Sequence, residues 1–278
     1  LSPPHSGAPG AATADAPLIS VVTAVYNGKR FLEETFASVR AQTYAPIEHW
    51  VIDGGSTDGT VDLIRGHEAR LAGWISEPDA GIADAFNKGV ARARGEYILF
   101  LNADDAFARP AALADLIEAA RTHDWPDVVY GDITIHDGES GALMYRVGEP
   151  YSRARLLDGN VLTHPSMLMH RRYFEKFGSF DTTYRVCMDY DLFLRGIPDL
   201  GALHVDAVIT RMRSGGVSVR QRAWVVDEVI RALRGHGYLG AAGAMRLRLR
   251  YAARRWARKG LEITGLYGAF NALRFRKT

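Results

Sequence analysis

Tyr97-Ile98-Leu99-Phe100-Leu101-Asn102-Ala103-Asp104-Asp105 is an apolar run that ends in two adjacent carboxylates. Its length and its aromatic and β-branched content predict a buried strand through Leu101. An unpaired carboxylate is costly to bury, so Asp104 and Asp105 are expected to emerge where something positive meets them. A divalent metal, Mn²⁺ or Mg²⁺, suits two neighbouring acids. The plainer reading is a turn that caps the helix expected near Pro110. Two other apolar runs also end in polar loops, one of them acidic, and that repetition favours a site.

Upstream, Leu18 to Val25 is a near-continuous apolar strand, the pattern of a parallel sheet covered on both faces. Tyr26-Asn27-Gly28 breaks it, and Phe31, Leu32, Thr35, Phe36 and Val39 follow at helical spacing. His49 to Ile52 is a second strand ending at Asp53, and Gly54 to Gly59 leads into a helix carrying Val61, Leu63 and Ile64. Trp74-Ile75 is a short third strand, and Ile82, Phe86, Val90 and Ala93 mark another helix. The alternation predicts an α/β fold with a Rossmann-like, mostly parallel sheet flanked by helices.

Such sheets bind ligands beyond the carboxyl ends of their strands. The loops there are Tyr26-Asn27, Asp53 to Ser56 and Asn102 to Asp105, which converge on one rim. No Gly-x-Gly-x-x-Gly follows the first strand and no Gly-x-x-x-x-Gly-Lys-Ser/Thr occurs, which disfavours dinucleotide and P-loop chemistry. Paired acids still suit a metal bridging a nucleotide pyrophosphate.

Composition agrees with a globular protein. The 278 residues are 47% hydrophobic and 24% charged with a net charge of +2, room for one large α/β domain and an extension. No apolar stretch is long enough to span a bilayer. Residues 1–16, rich in Pro, Ala, Gly and Ser, read as a flexible leader, 17–220 as the main domain and 221–278 as a helical extension. The single Cys187 is expected to be a buried small residue, and no Cys/His cluster suggests zinc.

Four stretches together carry a family likeness: Thr23-Ala-Val-Tyr-Asn27, Asp53-Gly-Gly-Ser-Thr-Asp58-Gly, Glu77-Pro-Asp-Ala-Gly-Ile-Ala-Asp84-Ala-Phe-Asn87-Lys-Gly89 and Leu101-Asn-Ala-Asp104-Asp105. In this order they resemble the family 2 glycosyltransferases of the GT-A fold, from about Leu18 to Ser218. The resemblance implies a nucleoside-diphosphate sugar donor, with UDP favoured and GDP possible, a metal-binding Asp-x-Asp-type motif, and inversion at the anomeric carbon. It implies that Thr23, Tyr26, Asn27 and Asp53 surround the nucleotide base and that Asp84, Asn87 and Lys88 close on the nucleoside. Asn102 and Ala103 are then beside the sugar nucleotide, and Asp104, with Asp105, holds the metal. Asn102 departs from the family pattern, where an Asp is usual, and adds no charge.

The second half supplies the acceptor side. Asp127 to Ile133, Leu143 to Val147 and Thr163 to His170 read as strands. Met188-Asp189-Tyr190-Asp191 resembles the region where this family places its base, with Asp189 the matching carboxylate at a helix N-terminus that favours the ionised form. The plainer reading is a cap. His164 is expected in a loop beside the acceptor. Arg211, Arg213 and the Ser214 to Ser218 segment are expected to form a lid over the phosphates, or an ordinary surface loop.

From Arg246 to Lys277 the chain holds ten Lys/Arg and one acid, Glu262, with apolar residues at helical spacing. This predicts peripheral membrane contact through 246–277, or a helix packed on its own domain. No nucleic-acid motif is present. The expected activity is inverting, metal-dependent sugar transfer to a cell-envelope glycan or lipid-linked acceptor, in the cytoplasm or at the inner face of the cell membrane. The alternative is a non-catalytic nucleotide-sugar or glycan-binding protein on the same scaffold.

Overall fold

The computed structural model describes residues 16–159, 162–197, 199–215 and 222–263. Strand β1 (Ile19–Val25) is followed by helix α1 (Lys29–Arg40), β2 (Ile47–Asp53), α2 (Thr60–His67), β3 (Gly73–Ser76), α3 (Ile82–Arg92) and β4 (Tyr97–Phe100). The four strands lie parallel in the order β3-β2-β1-β4. Ile19, Val21 and Val22 are fully buried, as a strand covered on both faces requires. Leu32, Thr35, Phe36 and Val39 form the buried face of α1. Gly89 lets α3 approach the sheet, since a Cβ there would lie 2.3 Å from a Val22 methyl.

Beyond β4 come β5 (Ala106–Phe107), α4 (Ala112–Thr122), β6 (Val128–His136), β7 (Leu143–Val147), α5 (Arg153–Leu157), β8 (Met167–His170), α6 (Arg171–Phe177), α7 (Met188–Gly196) and β9 (Ala202–Arg213). The sheet continues β4-β8-β6-β9-β5, with β7 paired to the second half of β6. Strand β8 is antiparallel to β4 and β6, whereas β9 is parallel to β6. The result is a mostly parallel mixed sheet flanked by helices.

Two expectations change. The stretch before Met167 is not strand, because His164-Pro165-Ser166 forms a 3₁₀ turn in which Pro165 has no N–H to give a ladder. Arg211 and Arg213 are not on a loop, because both lie within β9. Residues 216–221, and with them the rest of the expected lid, lie outside the described residues.

The extension forms α8 (Arg222–Gly235) and α9 (Ala241–Ile263). Val229, Ile230, Ala232 and Leu233 of α8, and Ala244 and Leu247 of α9, share one apolar core with Tyr190 and Phe193 of α7 and with Phe86 and Phe100. The extension is thus built into the main core. The leader before residue 16 and the tail after 263 lie outside the described residues.

Candidate active site

The register aligns Val25, Asp53 and Ser76 across the carboxyl ends of β1, β2 and β3. Asn27, at φ 50°, turns the chain there. Its Oδ1 accepts from the Thr57 N–H at 2.9 Å, and its own N–H donates to Ser56 Oγ at 2.7 Å, so the first two loops are clamped together. Tyr26 is 67% exposed on this rim.

Asp53 and Thr23 are placed differently from expectation. Asp53 is fully buried, and one oxygen accepts from the Gly55 and Ser56 N–H groups and from Ser76 Oγ, while Ser56 Oγ binds the other. Its lone pairs therefore shape the loop rather than stand open to a base. Thr23 is also fully buried, with its Oγ1 2.9 Å from His49 Nε2. The acid that reaches the rim is Asp79, whose Oδ2 lies 2.5 Å from where a Gly54 Cβ would sit.

The 77–88 stretch is wired internally as well. Asn87 donates to Phe180 O at 2.8 Å and accepts from Phe180 N–H at 2.9 Å, a clamp that uses both ends of the amide. Lys88 Nζ pairs with Glu77 at 2.9 Å and Asp84 at 3.2 Å, and Asp84 also accepts from the Ala80 N–H. Asp84 and Lys88 hold the 77–81 loop onto α3 and Asn87 ties α3 to the Phe180 backbone, so as the structure places them these side chains act through the shape of those loops.

The acids after β4 are the opposite case. Thr35 Oγ1 of α1 donates to Asp105 O at 2.7 Å and contacts Ala103 O at 3.0 Å, pinning the loop from outside. Ala103 itself is buried beside Val25 and Leu32. Asn102 Nδ2 donates to Asp105 Oδ2 at 3.0 Å, yet Asn102 Oδ1 and Asp105 Oδ1 are buried with no hydrogen-bond partner among the described residues. Burial raises the Asp104 carboxyl above its ordinary value, opposed by the charge of Arg213. Burial and then the neighbouring Asp104 push Asp105 well above its ordinary value, partly offset by Asn102 and Arg213.

Orphaned buried oxygens beside a half-buried carboxylate are the donor set a hard cation takes. No three His, Cys, Asp or Glu side chains converge among the described residues, so a metal here fits one or two carboxylates completed by substrate phosphates. Arg211 and Arg213 lie nearby in β9. Each pairs with Glu34 of α1, Arg211 at 2.9 Å, and the Arg213 guanidinium stacks over Phe31 at 4.5 Å. Both arginines stand on a strand at this side of the acids.

Because β8 runs antiparallel to β4, with Ile98 opposite Met169, its start at Met167 and the His164 turn before it sit at the carboxyl end of β4. His164 Nδ1 lies 3.2 Å from Asp189 Oδ2, at the first turn of α7. Asp189 and the Asp104-Asp105 loop thus share one edge of the sheet. Asp189 is 6% exposed, and His164 Nε2 is buried with no hydrogen-bond partner among the described residues. Ahead of α7, Glu228 of α8 accepts the Arg185, Val186 and Cys187 N–H groups at 2.8 to 3.0 Å, which holds Asp189's turn in place. A separate cavity of about 270 Å³ under α1 and the start of β2, lined by Phe36, Arg40, His49 and His67, contains none of these acids.

Glu228, Glu34, Thr35 and Asp79 were not singled out from the sequence. The first three act on loops far away in the chain, for which no local pattern exists, and only the Gly54 gap, visible as a missing side chain in Asp53-Gly-Gly-Ser56, hints at Asp79.

Residues 20–178 match the profile of Glycosyl transferase family 2. The chain is a family 2 glycosyltransferase. It is 33% identical over 204 residues to an uncharacterized glycosyltransferase of Mycobacterium tuberculosis (strain ATCC 25618 / H37Rv), covering 73% of this chain and 77% of that one. Identity is 31% over 183 residues to a PGL/p-HBAD biosynthesis glycosyltransferase of Mycobacterium bovis (strain BCG / Pasteur 1173P2), covering 65% and 70%. Among solved structures, S. aureus TarS 1-349 with UDP-GlcNAc superposes with TM-score 0.60 at 17% identity, covering 87% of this chain and 74% of that chain. The mannosyltransferase PcManGT of Pyrobaculum calidifontis, in complex with GDP-Man and Mn²⁺, superposes with TM-score 0.56 at 18% identity, covering 95% and 88%. At these identities the superpositions establish the GT-A-like fold of this glycosyltransferase, which takes a nucleotide-sugar donor as its family does. Among the described residues no helix is long and apolar enough to cross a membrane.

Proposed function

We propose that this glycosyltransferase transfers a sugar from a nucleoside diphosphate, with inversion, to a hydroxyl of a cell-envelope glycan or lipid-linked acceptor. The carrying observation is that the unpartnered Asp105 carboxyl oxygen and Asn102 amide oxygen lie at the same carboxyl end of β4 as the His164–Asp189 pair. The first group offers oxygens suited to a hard cation, and the second sets a carboxylate against an imidazole.

In this reading Asp104 and Asp105 are the residues that would hold Mn²⁺ or Mg²⁺, which would supply Lewis-acid stabilisation of the departing diphosphate. Arg213, which already acts electrostatically on both acids, adds positive potential beside them. Tyr26, exposed at the end of β1, offers a flat apolar surface for the base or ribose. Asp53, Asn27 and Asn87 support the nucleotide indirectly, by fixing the loops around it. UDP is the favoured carrier and GDP the second. A structural neighbour binds UDP-GlcNAc and another GDP-Man with Mn²⁺, which supports either.

On the acceptor side Asp189 takes the hydroxyl proton as that oxygen attacks the anomeric carbon from the face opposite the diphosphate. The new bond to carbon forms as the bond to the phosphate oxygen breaks, so one displacement inverts the centre. His164, whose Nδ1 lies 3.2 Å from Asp189 Oδ2, positions that carboxylate toward the acceptor.

The test is transfer or donor hydrolysis with UDP- and GDP-sugars, with and without Mn²⁺, and the product anomer read by NMR. Metal-dependent turnover with inversion, abolished by Asp104→Ala, is expected. A retained anomer overturns the role of Asp189. Donor binding with no turnover for any sugar nucleotide points to the binding-protein reading.

A further inference from the structure

Helix α9 has two apolar faces, and the body of the protein uses one. Ala244 and Leu247 are buried in the main core, and Tyr251 Oη donates to Gly159 O at 3.0 Å. On the other side Met245 is 56% exposed, Leu249 63% and Trp256 74%, with Ala252 exposed between them. At 3.6 residues per turn these four positions fall within about 60° of one another, forming one continuous stripe. An outward stripe ending in a tryptophan is not what a helix packed only on its own domain presents.

The charge around the stripe says what covers it. Residues 246–259 contain seven Lys/Arg, and no Asp or Glu occurs from 229 to 261. Arg246 is exposed beside Met245, and Arg248 makes an exposed pair with Asp227 at 3.0 Å. Such a pair is weak and is readily exchanged for another anion. Arg250 turns inward onto Asp158, and the exposed Arg246 and Arg248 flank the apolar side chains, which together complement a surface that is apolar beneath and anionic at its rim.

We propose that the outer face of α9 lies in the interface of an anionic lipid bilayer. Met245, Leu249 and Trp256 enter the acyl boundary, and the arginines meet lipid phosphates. The helix rests on the membrane and does not span it. The inference is independent of the donor, the metal and the base proposed above, because it uses no residue of that site.

Co-sedimentation of the full chain with vesicles of phosphatidylcholine alone, or mixed with phosphatidylglycerol, tests this. Binding to the mixed vesicles, weakened by salt, and little binding to the neutral ones is expected. The double variant Leu249→Glu/Trp256→Glu should weaken it by about tenfold or more. Both residues are exposed, and an unchanged circular dichroism spectrum and melting temperature verify that the variant folds. Arg246→Glu should also weaken binding while Asp104→Ala leaves it unchanged. No binding to the mixed vesicles, or binding untouched by the double variant, overturns the proposal. So does a dimer in sedimentation velocity that the double variant dissolves, since a second copy would then cover the stripe.

Discussion

At Asp105 a carboxyl group is buried against a second carboxylate with one oxygen unpartnered. The folded chain binds this proton more tightly than the unfolded chain. Its contribution to stability is therefore lost as pH rises from the ordinary carboxylate range through the raised value. Without metal, Asp105→Asn should remove that loss and raise stability at neutral pH by about 1 kcal/mol, read as the denaturation midpoint against pH. Mn²⁺ with a nucleoside diphosphate should raise the melting temperature of the wild type, and Asp105→Asn should lose most of that rise. At Asp189 the expected change is kinetic. Asp189→Asn should lower kcat by about 10²–10⁴ with the donor KM little changed, because the group acts on the acceptor proton and not on donor binding.

Among the elements, the β2 to α2 and α3 loops display how side chains that resemble ligand contacts became internal fasteners. Asn87 spans from α3 to the Phe180 backbone. Asn87→Ala leaves a buried N–H and C=O short of partners and should cost about 1–3 kcal/mol of stability, measured by urea unfolding. A change confined to donor KM would instead place Asn87 on the nucleotide. Within β2, burial holds His49 down at a pKa of about 3. The unfolded chain binds the proton more readily, so stability present at neutral pH is lost as pH falls below about 6.5, by about 2 kcal/mol at pH 5. His49→Gln should flatten that part of the pH profile. Strands β1 and β4 are readable as near-continuous apolar runs, and β2 through the short run Trp50-Val51-Ile52 before Asp53. Strand β9 is not, since Ala202–Arg213 mixes charged and apolar residues and is half-exposed along most of its length. Its strand character comes from pairing with β6 and β5.

For the whole molecule the C-terminal extension decides more than its sequence implies. Glu228 of α8 collects three backbone N–H groups at the entrance to α7, and the apolar side of α8 completes the core beneath Tyr190 and Phe193. Glu228→Gln retains the shape but weakens these charge-assisted bonds. A stability loss of about 1–3 kcal/mol and a fall in kcat of up to about 10²-fold are expected, with donor affinity from calorimetry unchanged. An equal loss of donor affinity would mean that α8 supports the whole fold evenly and not the Asp189 turn.

The order of residues by itself determined the alternation of strand and helix, the carboxyl edge on which polar loops gather, the family, and the basic apolar character of the tail. These follow from short-range periodicity and from motifs a few residues long. Tertiary structure alone decided which polar groups are satisfied: Asp53, Thr23 and Asn87 by partners within the fold, Asp105 and Asn102 left with open oxygens, Asp189 set against His164. It also decided which face of α9 turns inward. Satisfaction of a hydrogen-bonding group depends on donors brought from distant parts of the chain, and no local pattern carries that information.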